Sequence, residues 1–267
     1  MEIDAGKFKL LRLDALGLRV DVRLVGAEAT GSEPALARAW SRCLATASGW
    51  AADIAFDAAI GASADLPKGG LAAADLPRLS HLLSPTVTVG VIDHLAGEIV
   101  MLHAAALADR SGATAVFVGA SGAGKTTVCR TLGRHLGYIT DETVAIETDG
   151  SIRMYPKPLS VIEADLPVKA QISPDDLGLA EVQARPYLSR IHLLDRDPGH
   201  RGPPTIESVD KLEALAAIAT QSSHLKRLPR PLHALAEVID TVRGVTRVRY
   251  ADASDLLPMV DELVAAR

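Results

Sequence analysis

Residues Thr114–Thr127 read TAVFVGASGAGKTT, and this stretch gives the clearest indication of the fold class. Ala115–Val118 is a short apolar run with β-branched and aromatic members, which predicts a buried strand. Gly119–Thr126 then satisfies the pattern G-x-x-x-x-G-K-[ST] without a mismatch. Residues 127–136 follow as a predicted helix, with Gly137 placed to end it. A strand, a glycine-rich loop and a helix in this order predict a phosphate-binding P-loop.

Residues 119–126, called the glycine loop below, have the residue types that phosphate binding needs. Glycines let consecutive backbone N–H groups point inward, and the helix adds the positive end of its dipole. Lys125 is expected to reach the β- and γ-phosphates, and the Thr126 hydroxyl to ligate Mg²⁺. The alternative is a chance match in a chain rich in Gly and Ala. The predicted ligand is ATP with Mg²⁺, and the predicted nucleotide-binding residues are Gly119, Ala120, Ser121, Gly122, Ala123, Gly124, Lys125, Thr126 and Thr127.

The composition limits the classes of protein to which the chain can belong. Its 267 residues are 48% hydrophobic but only 3% aromatic, so the core must consist of Ala, Val, Leu and Ile. The net charge of −5 argues against nucleic-acid or membrane-surface partners. Cys43 and Cys129 match no metal or redox spacing, and Cys129 is expected to be a packed thiol. No apolar run reaches membrane-spanning length and the acidic start is no signal peptide, which predicts a cytoplasmic protein.

The first 80 residues predict an N-terminal α+β portion, ahead of a nucleotide-binding domain over residues 81–267. Two early segments alternate apolar and charged residues, which is typical of strands with one solvated face. Ser32 is a suitable N-cap, with Pro34 in the first helical turn. The elements predicted here are strands over 8–13, 18–25 and 54–60, a helix from Ser32 to about residue 47, and a connection over 61–77.

The larger predicted domain alternates strands and helices. Ser84 and Pro85 predict a helix start, because Ser caps helices and Pro is tolerated at the first helical position. Asp149-Gly150 predicts a hairpin turn. The remaining elements predicted here are a helix end near Gly97, a strand over 99–107 that carries His103, a turn over 109–112, hairpin strands over 143–148 and 151–155, helices over 207–221, 231–242 and 254–266, and an edge strand over 245–250.

Two adjacent acids are expected to serve the glycine loop. Asp141 and Glu142 follow the strand after the loop's helix, at the sheet edge where α/β proteins bind ligands. A carboxylate there can hold Mg²⁺ directly or through water. The bland alternative is that one of them only caps a strand end. A rival acid is Asp195, at the end of the apolar run 191–195, and the alternative for His103 is a hydrogen-bonded strand histidine.

The order of these parts resembles the HPr kinase/phosphorylase family. A strand histidine (His103), a turn, the glycine loop and a paired acid (Asp141-Glu142) occur with similar spacing over roughly residues 98–165. The resemblance implies a P-loop α/β domain with a mixed β-sheet flanked by helices, as in phosphoenolpyruvate carboxykinase. It also implies that Glu142 is the catalytic base and Asp141 its companion, with Lys125 and His103 in the catalytic set. Glu163, in a loose analogue of a family motif, becomes a candidate metal ligand.

The sequence also departs from that family. The second acid is Glu instead of the usual Asp, the family's long glycine-rich stretch is not present, and the first hundred residues do not resemble the carrier kinase's N-terminal domain. The expected function is therefore an ATP-dependent kinase that acts on a serine-type hydroxyl of a peptide, protein or small molecule. The alternative is an ATP-binding switch or assembly module that hydrolyses slowly and has no acceptor. The oligomeric state is left open.

Overall fold

The computed structural model describes residues 8–45, 51–61, 66–164 and 166–265. Contacts divide the chain into two units. The first comprises Met1–Val91 with Pro156–Asp176, and the second comprises Ile92–Tyr155 with Leu177–Arg267. The boundary predicted near residue 80 therefore falls inside a helix, and a later segment of the chain joins the first unit.

The chain contains both strands and helices, and several strands follow one another without a helix between them. The strands are β1 Phe8–Ala15, β2 Leu18–Val25, β3 Ile54–Ile60, β4 Leu71–Ala73, β5 Val100–Leu102, β6 Ala104–Ala108, β7 Ala113–Val118, β8 Gly137–Thr140, β9 Val144–Ile146, β10 Leu159–Val161, β11 Ala170–Ile172, β12 Tyr187–Arg196, β13 Thr205–Val209, β14 Ser222–Ser223 and β15 Val245–Tyr250. The α-helices are α1 Ala27–Gly31, α2 Glu33–Ala39, α3 Leu76–His94, α4 Lys125–Leu132, α5 Lys211–Thr220, α6 Pro231–Thr241 and α7 Val260–Val264.

The second unit contains a six-stranded mixed sheet in the order β13-β15-β12-β7-β6-β8. β7 and β15 both run parallel to β12, whereas β6 is antiparallel to β7 and to β8. β5, β9 and β14 form a smaller antiparallel sheet. The predicted α/β class with a mixed sheet and flanking helices is confirmed.

The main hydrophobic cluster of the second unit is aliphatic, although Phe117, Tyr138 and Tyr250 are also buried in this unit. Every buried member of its hydrophobic cluster is Ala, Val, Leu or Ile, as the composition predicts. All residues of β6 and β7 are buried. A strand buried on both faces reads as an unbroken apolar run, which is why β7 stands out in the sequence.

The first unit has its own sheet, in the order β1-β2-β3-β4. β1 and β2 pair antiparallel and alternate buried with exposed residues, which confirms the predicted solvated face. β3 coincides with the predicted strand 54–60, and β4 lies within the predicted connection. The hairpin-like pair β10–β11 completes the unit. Among the described residues, no helix is both long and apolar enough to cross a membrane.

Several predicted helix boundaries were wrong. α3 begins at Leu76 instead of Ser84, because the Asp75 carboxylate accepts the backbone N–H of Arg78 at 2.9 Å and caps the helix there. Pro85 consequently lies inside α3. Ser32 makes no side-chain cap, since its hydroxyl donates to the carbonyl of Glu28 at the end of α1.

The predicted ends of two other helices also differ. α2 ends at Ala39 and a 3₁₀ turn follows it, whereas the predicted end near residue 47 lies outside the described residues. α4 ends at Leu132, and Gly137 opens β8 instead of ending the helix. A Cβ at Gly137 would lie 2.8 Å from the Cα of Val182, so the close approach of two backbones explains this glycine.

The predicted strand over 99–107 is two strands in different sheets. β5 and β6 are separated by His103, whose backbone N–H donates to the carbonyl of Gln221 at 2.7 Å. His103 therefore sits at a break and not within a strand. Because this hydrogen bond joins His103 to a residue far away in the sequence, no local sequence pattern predicts the break between β5 and β6.

The C-terminal part also departs from the predicted pattern. Residues 205–209 form β13 instead of starting a helix, and α5 begins at Lys211 after the cap residue Asp210. β15 is not an edge strand, because β12 and β13 pair with its two sides. The predicted last helix is a 3₁₀ segment, Ala253–Met259, followed by α7. The predicted return strand 151–155 makes only isolated bridges.

Candidate functional site

The glycine loop joins the end of β7 to the start of α4 in the second unit. Gly122 and Gly124 have φ angles of 84° and 94°, a left-handed conformation that other residues rarely adopt. A Cβ at Gly119 would lie 2.8 Å from the Cβ of Ala123, so the loop closes tightly at its first residue. The loop therefore has the curled backbone and the helix start that can surround an anion.

Lys125 is the first residue of α4 and is buried, with 6% of its surface exposed. Its Nζ donates to the carbonyls of Gly119 at 2.6 Å and Ala120 at 3.0 Å, so the ammonium lies against the start of the loop. Burial lowers the pKa of Lys125, while the nearby charges of Asp141 and Glu142 act to raise it. Both predicted acids therefore lie near this cation.

Thr126 and Asp141 are in direct contact. The Thr126 hydroxyl donates to Oδ2 of Asp141 at 2.7 Å, and the Tyr138 hydroxyl donates to Oδ1 at 3.2 Å. Asp141 is buried and directly follows β8, which fixes its position beside α4. The two oxygen donors predicted from the sequence as Mg²⁺ ligands thus lie together at the end of the glycine loop.

His103 and Glu142 are joined through the backbone. His103 Nδ1 lies 3.1 Å from the carbonyl oxygen of Glu142, and the N–H of Ala104 donates to the same oxygen at 3.2 Å. Burial is the main cause that lowers the pKa of His103, and the charge of Lys125 adds to it. His103 is therefore neutral at pH 7, and it donates through Nδ1 because a carbonyl can only accept.

The donor set fits Mg²⁺ held jointly with phosphates. Mg²⁺ usually binds one or two protein oxygens and keeps water or phosphate oxygens in its other positions. Thr126 and Asp141 could supply that pair. Within the described ranges, no cluster of three His, Cys, Asp or Glu side chains offers a ready-made metal site. Glu163 is exposed and belongs to the first unit, whereas the other candidates belong to the second.

The rival acid Asp195 lies near the start of the glycine loop. It lines a groove of about 310 Å³, the loop-start groove, together with Gly119, Ala120, Gln221 and Arg247. Its carboxylate forms an ion pair with Arg249 at 2.8 Å. Asp195 therefore borders the loop but is engaged with an arginine, whereas Asp141 contacts the loop's own hydroxyl.

Two tyrosines near the loop were missed by sequence reasoning. Tyr138 bonds Asp141, and the Tyr250 hydroxyl donates to the carbonyl of Ala123 at 3.3 Å. Burial raises the pKa of Tyr250 to about 12, so its hydroxyl stays protonated and can donate. Neither residue belongs to a motif, and only the positions of Tyr138 within β8 and of Tyr250 at the end of β15 bring them to the loop. Cys129 is buried near the carbonyl of Thr140, as expected for a packed thiol.

No protein-family model matches the chain, and no curated protein matches it. The functional assignment therefore rests on the residues and their geometry.

Proposed function

We propose that this protein is an ATP-dependent phosphotransferase with a P-loop fold similar to that of the HPr kinase family. It would transfer the γ-phosphoryl group to a hydroxyl of a peptide, a protein or a small molecule. One observation carries the proposal, namely the 2.7 Å hydrogen bond between Thr126 and Asp141. Two residues that are distant in sequence, and are the oxygen ligands expected of a Mg²⁺-nucleotide site, meet at the glycine loop.

The roles of the binding residues follow from their positions. The backbone N–H groups of the glycine loop would surround the phosphates, and Lys125 would exchange its two carbonyl partners for phosphate oxygens. A carbonyl bond is weaker than a bond to a charged phosphate, so this exchange is favourable. Thr126 and Asp141 would hold Mg²⁺, which neutralises charge on the transferred group.

Glu142 is the proposed general base. It directly follows Asp141, and its charge acts on both Lys125 and His103, so it lies beside the expected γ-phosphate position. A carboxylate there can accept the proton of the incoming hydroxyl. Neutral His103 holds the Glu142 backbone through Nδ1 and is proposed to position it. The loop-start groove is lined by Gly119 and Gln221, whose carbonyls accept hydrogen bonds from Lys125 and His103, and it is the proposed entry for the acceptor.

We propose that this activity operates in the cytoplasm, with no nucleic-acid or membrane partner. The net charge of −5 supports this, because phosphate backbones and anionic lipids repel an acidic protein.

The substitution Glu142→Gln tests the proposal. It keeps the shape of the side chain but cannot accept a proton, so phosphate transfer should fall by about 10²–10⁴-fold. Affinity for ATP with Mg²⁺ should change little, because the glycine loop and Lys125 supply it. The measurements are nucleotide affinity by calorimetry and transfer of labelled phosphate with cell extract as the acceptor pool.

The same experiment distinguishes the alternative function. An ATP-binding switch without an acceptor would label nothing in any extract, yet it would change its affinity for a partner when ATP binds. Wild-type protein with that behaviour would replace the kinase assignment with the switch.

A further inference from the structure

A second groove lies beside α4, on the face next to the one that carries Thr126. We call it the α4 groove. Its volume is about 470 Å³, and its lining includes Thr127, Arg130, Thr131, Arg134, Leu177 and Leu257. Thr127, Arg130 and Thr131 share one face of α4, because residues three and four apart are neighbours on a helix. Arg134 follows just after the helix end.

The lining of the α4 groove is cationic with two apolar contacts. Arg130 and Arg134 are exposed, and neither forms an ion pair within the part of the chain that the structure describes. No carboxylate occurs among the described lining residues, and His135 is the only other titratable group there. Leu177 and Leu257 are half-buried lining residues of the groove. The groove thus offers guanidinium planes, hydroxyls and aliphatic side chains, with no charge to neutralise the arginines.

The glycine loop gives a bound nucleotide a direction. Lys125 contacts a carbonyl at the start of the glycine loop, and Thr126 contacts Asp141. These two residues mark the end of the site where the β- and γ-phosphates are expected to bind. Thr127 directly follows the glycine loop, is exposed, and lines the α4 groove. The α-phosphate of a bound nucleotide would therefore lie on the side of the α4 groove, and its γ-phosphate on the side of the two acids.

We infer that the α4 groove binds the nucleoside part of the nucleotide, an inference that rests on the proposed function. Arg130 and Arg134 stack their guanidinium planes on the base, as arginine does on flat π-systems. The hydroxyls of Thr127 and Thr131 bond the sugar, and Leu177 and Leu257 contact its apolar faces. Arginine stacking tolerates different bases, so the groove accepts nucleotides that differ in their base.

Inorganic tripolyphosphate is the probe that tests this inference, because it has the phosphates of ATP without the nucleoside. We expect wild-type protein with Mg²⁺ to bind ATP about tenfold more tightly than tripolyphosphate, which corresponds to about 1.4 kcal/mol and is within the range of one arginine stack. In the double variant Arg130→Gln with Arg134→Gln, ATP affinity should fall to the level of tripolyphosphate. The affinity for tripolyphosphate should stay unchanged.

The matched control is Arg110→Gln with Arg243→Gln. It removes two exposed arginines that precede β7 and β15, at the sheet edge opposite the glycine loop. This control has the same net charge as the test variant, and it should bind both ligands like wild type. Calorimetry at about 0.05 and 0.3 M salt separates stacking from long-range attraction, which salt screens.

Three results would overturn the inference. Wild-type protein could bind ATP and tripolyphosphate equally, the test variant could keep the preference for ATP, or it could lose both ligands equally in a salt-dependent way. A wild-type protein that binds neither ligand removes the proposed function itself, and the inference with it. That result differs from a lost preference, because it concerns the phosphates and not the nucleoside.

Discussion

Lys125 is buried, and its ammonium group is hydrogen-bonded to two carbonyls of the glycine loop. A test of its role must therefore preserve volume. We predict that Lys125→Met keeps the melting temperature within a few degrees and lowers nucleotide turnover about 10²–10³-fold, the usual cost of one lost charge-stabilising donor. Lys226→Met, on an exposed lysine, is the control. A folded Lys125→Met variant with normal turnover would contradict the glycine-loop assignment.

Asp141 and Asp195 are the two candidates for the proposed Mg²⁺-binding acid, and a pair of isosteric substitutions distinguishes them. Asp141→Asn should raise the Mg²⁺ concentration for half-maximal activity about tenfold or more, because the negative charge of the carboxylate beside the Thr126 hydroxyl is lost. Asp195→Asn should change it little, and should cost no more than about 1 kcal/mol of stability, since it only breaks a surface pair with Arg249. A Mg²⁺ titration of both variants decides. The reverse order would identify Asp195 as the ligand.

Among the secondary-structure elements, β12 is connected to its neighbours by a buried histidine. Nε2 of His192 lies 2.8 Å from the carbonyl of Leu263, and Nδ1 lies 2.7 Å from the Thr246 hydroxyl. The ring also stacks on Phe117 of β7, with centroids 5.4 Å apart. A carbonyl only accepts, so the proton sits on Nε2 and the Thr246 hydroxyl donates to Nδ1. His192 therefore connects β7, β12, β15 and α7 in its neutral form.

This geometry predicts a pH dependence of stability. Burial lowers the pKa of His192 from 6.5 to about 4. Between these values the unfolded chain binds the proton and the folded chain does not, so the free energy of unfolding falls as pH drops from about 6.5 towards 4. The loss from this residue should reach about 2–3 kcal/mol at the lower end. Urea unfolding at pH 7.5 and pH 4.5 measures it.

The variant His192→Gln is the control, because it cannot titrate. The difference in unfolding free energy between the two pH values should shrink by about that amount in the variant. NMR titration of the imidazole provides an independent check. An imidazole that titrates near 6.5 in the folded protein would contradict the prediction.

The first unit is formed by two separate segments of the chain, because residues 156–176 belong to it although residues 92–155 belong to the second unit. The returning segment 156–176 is held by residues of the α2 region. Asp175 pairs with Arg42 at 2.7 Å, Asp176 with Arg38 at 2.8 Å, and the hydroxyls of Ser173 and Ser41 are 3.0 Å apart. The segment's partners therefore precede it by more than a hundred residues.

A fragment of residues 81–267 follows the boundary that the sequence predicts, and we expect it to fail as a domain. It cuts α3 and leaves the segment 156–176 without its partners. Protease should cleave the fragment within this segment about tenfold faster or more than the full chain, because cleavage follows the population of open chain. Limited proteolysis with mass spectrometry measures the rates. Equal rates would show that residues 156–176 hold their structure without the N-terminal part.

The features that depend only on neighbouring residues could be predicted from the amino-acid sequence. The glycine loop, β7 before it and α4 after it follow from local pattern, and so do the paired acids after β8. The alternation in β1 and β2 and the aliphatic core were likewise readable, because side-chain periodicity and composition need no knowledge of distant contacts.

The features that depend on residues far apart in the chain could be assigned only from the folded structure. The bond from His103 to Gln221 divides one apolar run into β5 and β6, and β13 pairs with β15 to make it an internal strand. The fold also brings the Tyr250 hydroxyl to the carbonyl of Ala123, which is 127 residues earlier in the chain. Hydrogen bonds and burial across the fold outweigh local preferences of about 1 kcal/mol per residue, so such choices cannot be read from a single stretch of chain.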